Sequence, residues 1–131
     1  MRTLLFLLFA FGLEMAFAQS GWFWQNPLPQ GNRLFDVEML SDSVAVAVGW
    51  GGTIMKTNDA GLSWTVNPQG ENVYLSDVAF NKHGAGVAVG FVLSTQLAPV
   101  VLHSSDGGEN WSALSIPLTG VYPTAAAFAE S

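Results

Sequence analysis

The chain has 131 residues, 50% of them hydrophobic and only 11% charged, with ten acidic and four basic side chains. The sequence has no cysteine, which excludes disulfides, thiolate zinc sites and cysteine nucleophiles. The net charge of −6 argues against nucleic-acid binding, because neutralising phosphates needs a basic patch.

The first 18 residues have the features of a secretory signal peptide. Arg2 supplies the positive charge, residues 4–13 form an apolar run, and an Ala-Phe-Ala sequence ending at Ala18 provides the small residues that signal peptidase accepts. The apolar run is shorter than the roughly 20 residues that span a bilayer. We therefore predict cleavage between Ala18 and Gln19, no stable membrane span after cleavage, and a chain that is secreted or located in the periplasm or cell envelope.

The remainder of the sequence contains an internal repeat. Asp36 and Asp77 lie 41 residues apart in matching Leu-x-Asp-Val sequences. A Val-Ala-Val-Gly sequence that ends at Gly49 recurs at the same distance and ends at Gly90. A period of roughly 40 to 50 residues is typical of β-propeller blades.

The repeat also fixes the length of the second unit and the start of a third. Trp64 and Trp111 lie 47 residues apart, so the second unit carries about six extra residues, which we place between residues 92 and 98. A third unit begins near Thr124, and Trp24 aligns with Trp64 as the end of a preceding unit.

Each unit contains four short segments with strand character, separated by turn residues. In the first unit the predicted strands span residues 34–39, 44–49, 53–56 and 63–66. The second of these is apolar at nearly every position, as expected of a strand that is buried on both faces. The pattern predicts an all-β fold made of β-propeller blades with four antiparallel strands each. We expect a signal peptide at residues 1–18 and a partial β-propeller at 19–131, with a closing strand at 22–27, blade 1 at about 33–67, blade 2 at about 74–114 and the start of blade 3 at about 121–131.

About two blades with leftover strands form an incomplete ring, since propellers typically have about four to eight blades. We therefore expect a truncated gene product or a fragment of a longer propeller. The alternative explanation is self-association, because open sheet edges invite strand pairing with other chains.

The pattern Ser/Thr-x-Asp-x-Gly-x-x-Trp occurs twice in the sequence. Its aspartate can accept hydrogen bonds from amides of its own turn, its glycine can take a positive φ, and its tryptophan can cover the turn. Each copy offers one carboxylate and lacks the EF-hand spacing, so we interpret it as a structural element and not as a calcium site. The residues of the two copies are Thr57, Asp59, Gly61 and Trp64, and Ser104, Asp106, Gly108 and Trp111.

These two elements resemble the Asp-box, also called the bacterial neuraminidase repeat. The wider unit is similar to the photosystem II stability/assembly factor-like repeat family in its Asp-Val, Ala-Val-Gly, Gly-Thr-Ile-x-Lys-Thr and Asp-x-Gly-x-x-Trp sequences. The resemblance covers residues 22–128 and implies a β-propeller that serves as a protein-interaction or assembly scaffold. The second unit departs from the pattern at residues 91–101, where an insertion replaces the Gly-Gly-Thr-Ile of residues 51–54.

Asp-boxes also occur in sialidases, which use an arginine cluster to hold the substrate carboxylate and a tyrosine as nucleophile. Beyond the predicted signal peptide the chain has one arginine, Arg33, and two tyrosines, Tyr74 and Tyr122. We therefore predict no catalytic, cofactor-binding or metal site, and we interpret His83 and His103 as turn or surface residues. The alternative is a fragment of a sialidase-like or glycan-binding propeller whose site lies in missing blades.

Four residues are candidates for contact with a partner. Trp50 follows the buried second strand, where it is either an exposed contact residue or part of the core. Phe91, Leu93 and Leu97 belong to the segment around the insertion, and insertions in repeat proteins map to loops that often lie on the binding face. The expected partner is a protein of unknown identity or the remaining blades of a longer chain.

Overall fold

The structure is a computed structural model, and it describes residues 30–117 and 121–129. The predicted signal peptide at 1–18 and the predicted closing strand at 22–27 lie outside the described residues. All regular elements of the described chain are β-strands. No helix in residues 30–117 or 121–129 has the length and apolar character that crossing a membrane requires.

Eight strands form two four-stranded antiparallel sheets, in which each strand pairs with the next along the chain. One sheet has the order β1-β2-β3-β4 and the other the order β5-β6-β7-β8. Each sheet corresponds to one repeat unit, so the all-β class with four-stranded blades is confirmed. The strands are β1 Leu34–Met39, β2 Ala45–Gly49, β3 Ile54–Thr57, β4 Thr65–Val66, β5 Val73–Phe80, β6 Gly86–Val92, β7 Ala98–Ser104 and β8 Ser112–Ala113.

The strands of the first blade lie close to their predicted positions. All five residues of β2 are buried, which agrees with its unbroken apolar sequence. β4 begins at Thr65, two residues later than predicted, because the backbone N–H of Ser63 is still bonded to the side chain of Asp59 in the preceding turn (2.8 Å).

A β-bulge near the start of the first strand of each blade, β1 or β5 (the inner strands), explains the equivalent glycines Gly49 and Gly90 of the second strands. The register of β1 on β2 shifts by one residue there, and so does that of β5 on β6. A β-carbon built on Gly49 would lie 2.1 Å from the Arg33 carbonyl oxygen, and one built on Gly90 would lie 1.8 Å from that of Tyr74. Only glycine leaves room for the neighbouring backbone at these two positions.

The insertion in the second unit lengthens a hairpin. β6 and β7 have seven residues each, against five in β2 and four in β3. Their pairing continues to Val92 and Ala98, so the loop between them consists of residues 93–97. The extra residues predicted between 92 and 98 therefore form the end of this hairpin.

The two blades share one hydrophobic core. Residues of β2 and β3 in the first blade and of β5, β6 and β7 in the second form a single buried cluster, with Phe80 and Trp111 packed at its border. Such a continuous cluster is the usual source of stability in stacked repeats, since one repeat cannot bury its apolar face alone. The members of the cluster are Val46, Val48, Ile54, Leu75, Val78, Ala88 and Leu102.

Residues 121–129, predicted as the start of a third blade, carry no strand assignment. Two hydrogen bonds nevertheless connect them with β5. The backbone N–H of Ala126 donates to Asp77 Oδ2 (2.6 Å), and the Ser76 hydroxyl donates to the Pro123 carbonyl oxygen (3.3 Å). A strand is defined by its ladder of backbone bonds, and none of the eight strands forms one with this segment.

Candidate protein-contact surface

The side chain of Asp59 holds together the first Asp-Gly-Trp turn, residues 57–64. Asp59 Oδ1 accepts from the Thr57 hydroxyl and from the Ser63 backbone N–H (both 2.8 Å), and Oδ2 accepts from the Ser63 hydroxyl (2.5 Å). The Thr57 oxygen in turn accepts from the backbone N–H of Gly61 (2.9 Å). The bond from the Ser63 hydroxyl is the main reason that the pKa of Asp59 falls from 3.8 to about 2.

The second turn, residues 104–111, repeats this arrangement with different residue types. Asp106 accepts from the Ser104 hydroxyl (2.8 Å), from the Asn110 backbone N–H (2.9 Å) and from the Asn110 side-chain amide (2.7 Å). These bonds, led by the Asn110 backbone N–H, lower the pKa of Asp106 from 3.8 to about 2. The indole N–H of Trp111 donates to the Gly108 carbonyl oxygen (3.2 Å), which fixes the ring over the turn.

The glycines of both turns have the left-handed backbone that the motif requires. The φ angle is 86° at Gly61 and 85° at Gly108. The indole of the motif tryptophan lies beside each glycine, 3.9 Å for Trp64 and 3.6 Å for Trp111 from the position of a β-carbon. Each carboxylate is thus engaged by its own turn, and within the described ranges no three His, Asp or Glu side chains are grouped to hold a metal ion.

Two further aspartates occupy equivalent positions on the inner strands and make equivalent contacts. Asp36 Oδ2 accepts from the backbone N–H of Val78 (2.9 Å), which belongs to the next blade. Asp77 accepts from the backbone N–H of Ala126 in the same way. Burial raises the pKa of Asp77, and the neighbouring Asp36 carboxylate adds to the rise. These side chains therefore connect each unit with the one that follows.

The two histidines lie on different elements, and His83 lines the same cavity as Asp36 and Asp77. His83 is exposed in the turn between β5 and β6, where its backbone N–H donates to Asn81 Oδ1 (2.9 Å). His103 lies on β7, opposite Ser112 of β8.

A row of aromatic side chains crosses both blades at one end of the sheets. Tyr74 lies at its centre, with its ring stacked on Phe91 (centroids 4.6 Å apart, 16° between planes) and at the edge of Trp50 (5.8 Å, 81°). Phe91 in turn meets the ring of Tyr122 (6.3 Å, 71°). We refer to Trp50, Tyr74, Phe91 and Tyr122 as the aromatic row. Its outer members remain open to solvent, since Trp50 is 45% exposed and Tyr122 is 44% exposed.

The repeat explains how the aromatic row is built. Trp50 follows Gly49 and Phe91 follows Gly90, which are equivalent glycines of the two second strands. Tyr74 and Tyr122 are also equivalent to each other, since each lies six residues before a phenylalanine. Tyr74 pairs with Phe91 across β5 and β6, and it forms an isolated β-bridge with Trp50. The residues that follow the glycines therefore lie next to the tyrosine. Trp50 comes from the first blade and contacts the second, so the row crosses the boundary between blades.

A cation adjoins the row on the side of the first blade. The guanidinium carbon of Arg33 lies 5.5 Å from the centre of the Phe35 ring, and that ring lies 4.4 Å from Tyr74. Arg33 occupies the repeat position that Tyr74 and Tyr122 occupy in the later units. Its side chain is exposed.

The structure brings together two of the four residues predicted for partner contact. Trp50 and Phe91 are joined through Tyr74. Leu93 and Leu97 lie in the loop of the long hairpin, which extends from the same end of the sheets because β6 and β7 pair as far as Val92 and Ala98. Leu93 is half-buried and Leu97 is 44% exposed.

Sequence reasoning missed Tyr74, Tyr122, Phe35 and Arg33 as members of this surface. The signal was present in the repeat itself, because Tyr74 and Tyr122 are equivalent positions 48 residues apart. Aligning the residues at the start of each inner strand, and not only the Asp-Gly-Trp turns, finds Tyr74, Tyr122 and their counterpart Arg33. Phe35 has Ser76 as its counterpart in the second unit, so the repeat does not indicate it.

Comparison with known proteins agrees with this architecture. A family model described as "Photosynthesis system II assembly factor YCF48" matches residues 15–126. A structure of YCF48 from Cyanidioschyzon merolae is similar, with a TM-score of 0.61 and 27% identity over 77% of this chain. A structure of YCF48 bound to D1 peptide has a TM-score of 0.63 and 24% identity over 75% of this chain, and so shows a common fold.

The chain spans about a third of the length of those two solved proteins, 33% and 31% respectively. A comparison with curated proteins gave no match. Because the family model covers most of the sequence, the chain belongs to the family of the photosynthesis system II assembly factor YCF48.

Proposed function

We propose that this chain is part of an exported, non-enzymatic β-propeller that binds a protein partner and serves as an interaction or assembly scaffold. The observation that carries this proposal is the aromatic row, whose outer members Trp50 and Tyr122 are exposed at one end of the two blades. The peptide bound to YCF48 in one of the similar structures supports a protein as partner.

The row has the properties of a protein-contact surface. Trp and Tyr are enriched in the buried centres of protein interfaces, where a few such residues provide most of the binding energy. The stacked and edge contacts of Tyr74 with its neighbours hold the rings in place, so binding loses little side-chain entropy. A partner that covers Trp50 and Tyr122 removes their remaining apolar surface from water.

A non-enzymatic role is supported by the hydrogen bonds of four aspartates, whose carboxylates all accept backbone N–H groups of the fold. Asp59 and Asp106 accept several hydrogen bonds within their turns, and Asp36 and Asp77 accept backbone amides of the next unit. A general acid or base needs a carboxyl group that can exchange its proton with a substrate. The four aspartates are instead engaged in holding the fold.

The binding part of the proposal is tested with two sets of probes, a library of random displayed peptides and an array of oligosaccharides that includes sialosides. We expect the full chain to select peptides and the Trp50→Ala variant to lose most of that binding. The control is Leu62→Ala, because Leu62 is 84% exposed in the turn at the other end of the sheets. Binding of oligosaccharides alone would favour the glycan-binding propeller, and equal peptide binding by the wild type and Trp50→Ala would remove the row from the proposal.

The export part is tested separately by the intact mass of the protein after expression from Met1 in a bacterial host. We expect the purified chain to begin at Gln19 and to be recovered outside the cytoplasm. Retention of residues 1–18 in a cytoplasmic product would contradict export without bearing on peptide binding.

A further inference from the structure

Three apolar residues of β1 are exposed at repeat positions that are buried in the second blade. The repeat spacing of 41 residues makes Leu34 the counterpart of Leu75, and Val37 the counterpart of Val78. Leu75 and Val78 are 0% and 2% exposed in the shared core, whereas Leu34 and Val37 are 42% and 56% exposed. Met39, two residues further along β1, is 59% exposed. The same side chains are therefore core in one blade and surface in the other.

The exposed residues belong to a face that continues across the first blade. Residues that pair directly across antiparallel strands point to the same side of the sheet. Val37 pairs with Ala47, Ala47 with Met55, and Met55 with Val66. The counterparts of the first three of these in the second blade all belong to the shared core. We call this side of the first blade the leading face, and define it by Leu34, Val37, Met39, Ala47, Met55 and Val66.

The leading face is suited to packing against another apolar sheet. Its counterpart in the second blade is covered by β2 and β3 of the first blade, as sheets that pack about 10 Å apart with interdigitating side chains. All six residues that define the leading face are uncharged, whereas Glu38 and Lys56 pair with Val46 on the other side of the sheet. A second sheet can therefore cover the leading face without burying a charge.

The surface complementary to the leading face is already engaged within the chain. On the far side of the second blade, the Ala126 N–H donates to Asp77 just as the Val78 N–H of the second blade donates to Asp36. Residues 121–129 thus occupy the inner-strand position there. The stretches 1–29, 118–120 and 130–131 are each shorter than the 41-residue repeat, so none of them supplies a further whole blade. The apolar, uncharged surface that a second copy offers is its own leading face.

We infer that the 131-residue chain forms a dimer in which the leading faces of two copies pack against each other about a two-fold axis. Closed two-fold contacts are the commonest in homo-oligomers, and they require one self-complementary patch. The contact removes Leu34, Val37 and Met39 of both copies from water. Because the face is uncharged, the net charge of −6 is kept away from the contact. The inference goes beyond the proposed function, since none of these residues belongs to the aromatic row.

Sedimentation of the chain purified after expression from Met1, over a range of concentrations, tests the dimer. We expect the wild type to sediment with twice the mass of one chain. The Val37→Asp variant should raise the dissociation constant more than about tenfold, because it places like charges in an apolar contact. The control is Leu97→Asp, which adds the same charge at a position that is 44% exposed in the loop of the long hairpin. Circular dichroism checks that both variants keep the fold of the single chain.

A mixture of two variants tests the two-fold arrangement. Val37→Asp and Val37→Lys should each dissociate alone and form a dimer when mixed, because position 37 of one copy then meets the opposite charge of the other. A wild type that is a monomer at every concentration would overturn the inference, and so would a dimer that Val37→Asp leaves intact. Open-ended assemblies formed by strand pairing at the sheet edges, or a mixture that stays dissociated, would also overturn it. Peptide selection by the aromatic row stands in all these cases.

Discussion

The hydroxyl and carboxyl oxygens of each Asp-Gly-Trp turn satisfy backbone donors that the turn would otherwise leave without a partner in the sheet. In the second turn, Asp106 accepts from two consecutive backbone N–H groups, those of Glu109 and Asn110, and Ser104 accepts from that of Gly108. Unpaired backbone donors are costly wherever water is excluded. In the turn between the third and fourth strands, the motif thus supplies side-chain acceptors where no backbone acceptor of a neighbouring strand is available.

We predict that Asp106→Ala lowers the melting temperature by several degrees, whereas Asp106→Asn, which keeps one acceptor oxygen, lowers it less. The pKa of Asp106 is depressed from 3.8 to about 2, so its charged form stabilises the fold above pH 3.8. That contribution is lost as the pH falls towards about 2. Melting curves from pH 7 to pH 2 measure this directly. An acid dependence that is the same in the wild type and Asp106→Asn would contradict the assignment.

Gly49 and Gly90, which face the β-bulges, cannot be replaced by a residue with a β-carbon without moving the neighbouring backbone. We predict that Gly90→Ala destabilises the chain by about 3 kcal/mol or more, because the new β-carbon would lie 1.8 Å from the Tyr74 carbonyl oxygen. Gly31→Ala is the matched control, since nothing lies within 4 Å of its β-carbon position. Urea denaturation of both variants measures the difference, and comparable stability for the two would show that the bulge relaxes.

At the scale of elements, a side chain of the inner strand of one unit bonds to the backbone of the next, in addition to the shared core. The carboxylates of Asp36 and Asp77 are near each other as well as near the amides that they accept. The raised pKa of Asp77 means that the folded state favours its protonated form. Its contribution to stability is therefore fully present below the ordinary value of 3.8 and is lost as the pH rises through the raised value.

We predict that Asp77→Asn raises the melting temperature at pH 7 and leaves it unchanged near pH 3. The amide keeps an oxygen acceptor for the Ala126 N–H and removes the charge that faces Asp36. The Asp77→Ala variant, which loses the acceptor, should melt lower at both pH values. A lower melting temperature for Asp77→Asn at pH 7 would show that the charge strengthens the contact more than it repels Asp36.

The strands were accessible to sequence reasoning because their period and turn residues are local properties. β1 was predicted with its observed bounds, and the insertion was located in the hairpin that it lengthens. The late start of β4 was not predictable, because it depends on which donors Asp59 captures in three dimensions. The bulge depends in the same way on how the neighbouring strand packs against Gly49.

The contact surface was only half predictable. Trp50 and Phe91 attract attention as large apolar residues after a buried strand or beside an insertion. Tyr74 joins them although it lies 24 residues from Trp50 in the sequence, because the bridge between these residues crosses from one blade to the next. A single unit of the repeat contains no sign of such a contact, which arises only when units stack.

At the scale of the whole molecule, the shared core makes two blades into one cooperative unit. Leu75 is fully buried in the cluster that includes Val46 and Ile54 of the other blade. We predict that Leu75→Ala lowers the free energy of unfolding by about 2 to 5 kcal/mol. It should also lower the temperature of a single unfolding transition. Calorimetry measures both the shift and the number of transitions. The control Leu62→Ala should change stability by less than about 0.5 kcal/mol, and a first blade that melts independently of the second would contradict a shared core.

The bond from Asp36 to the Val78 amide also bears on how such a molecule changes over evolutionary time. Its donor is a main-chain N–H, which every residue except proline supplies. The inner strand of a following unit therefore needs no particular side chain to form this bond with the unit before it. After in-frame duplication or loss of a whole repeat, the aspartate of an inner strand still finds a backbone donor in the unit that follows, whatever residue other than proline that unit has at the position of Val78.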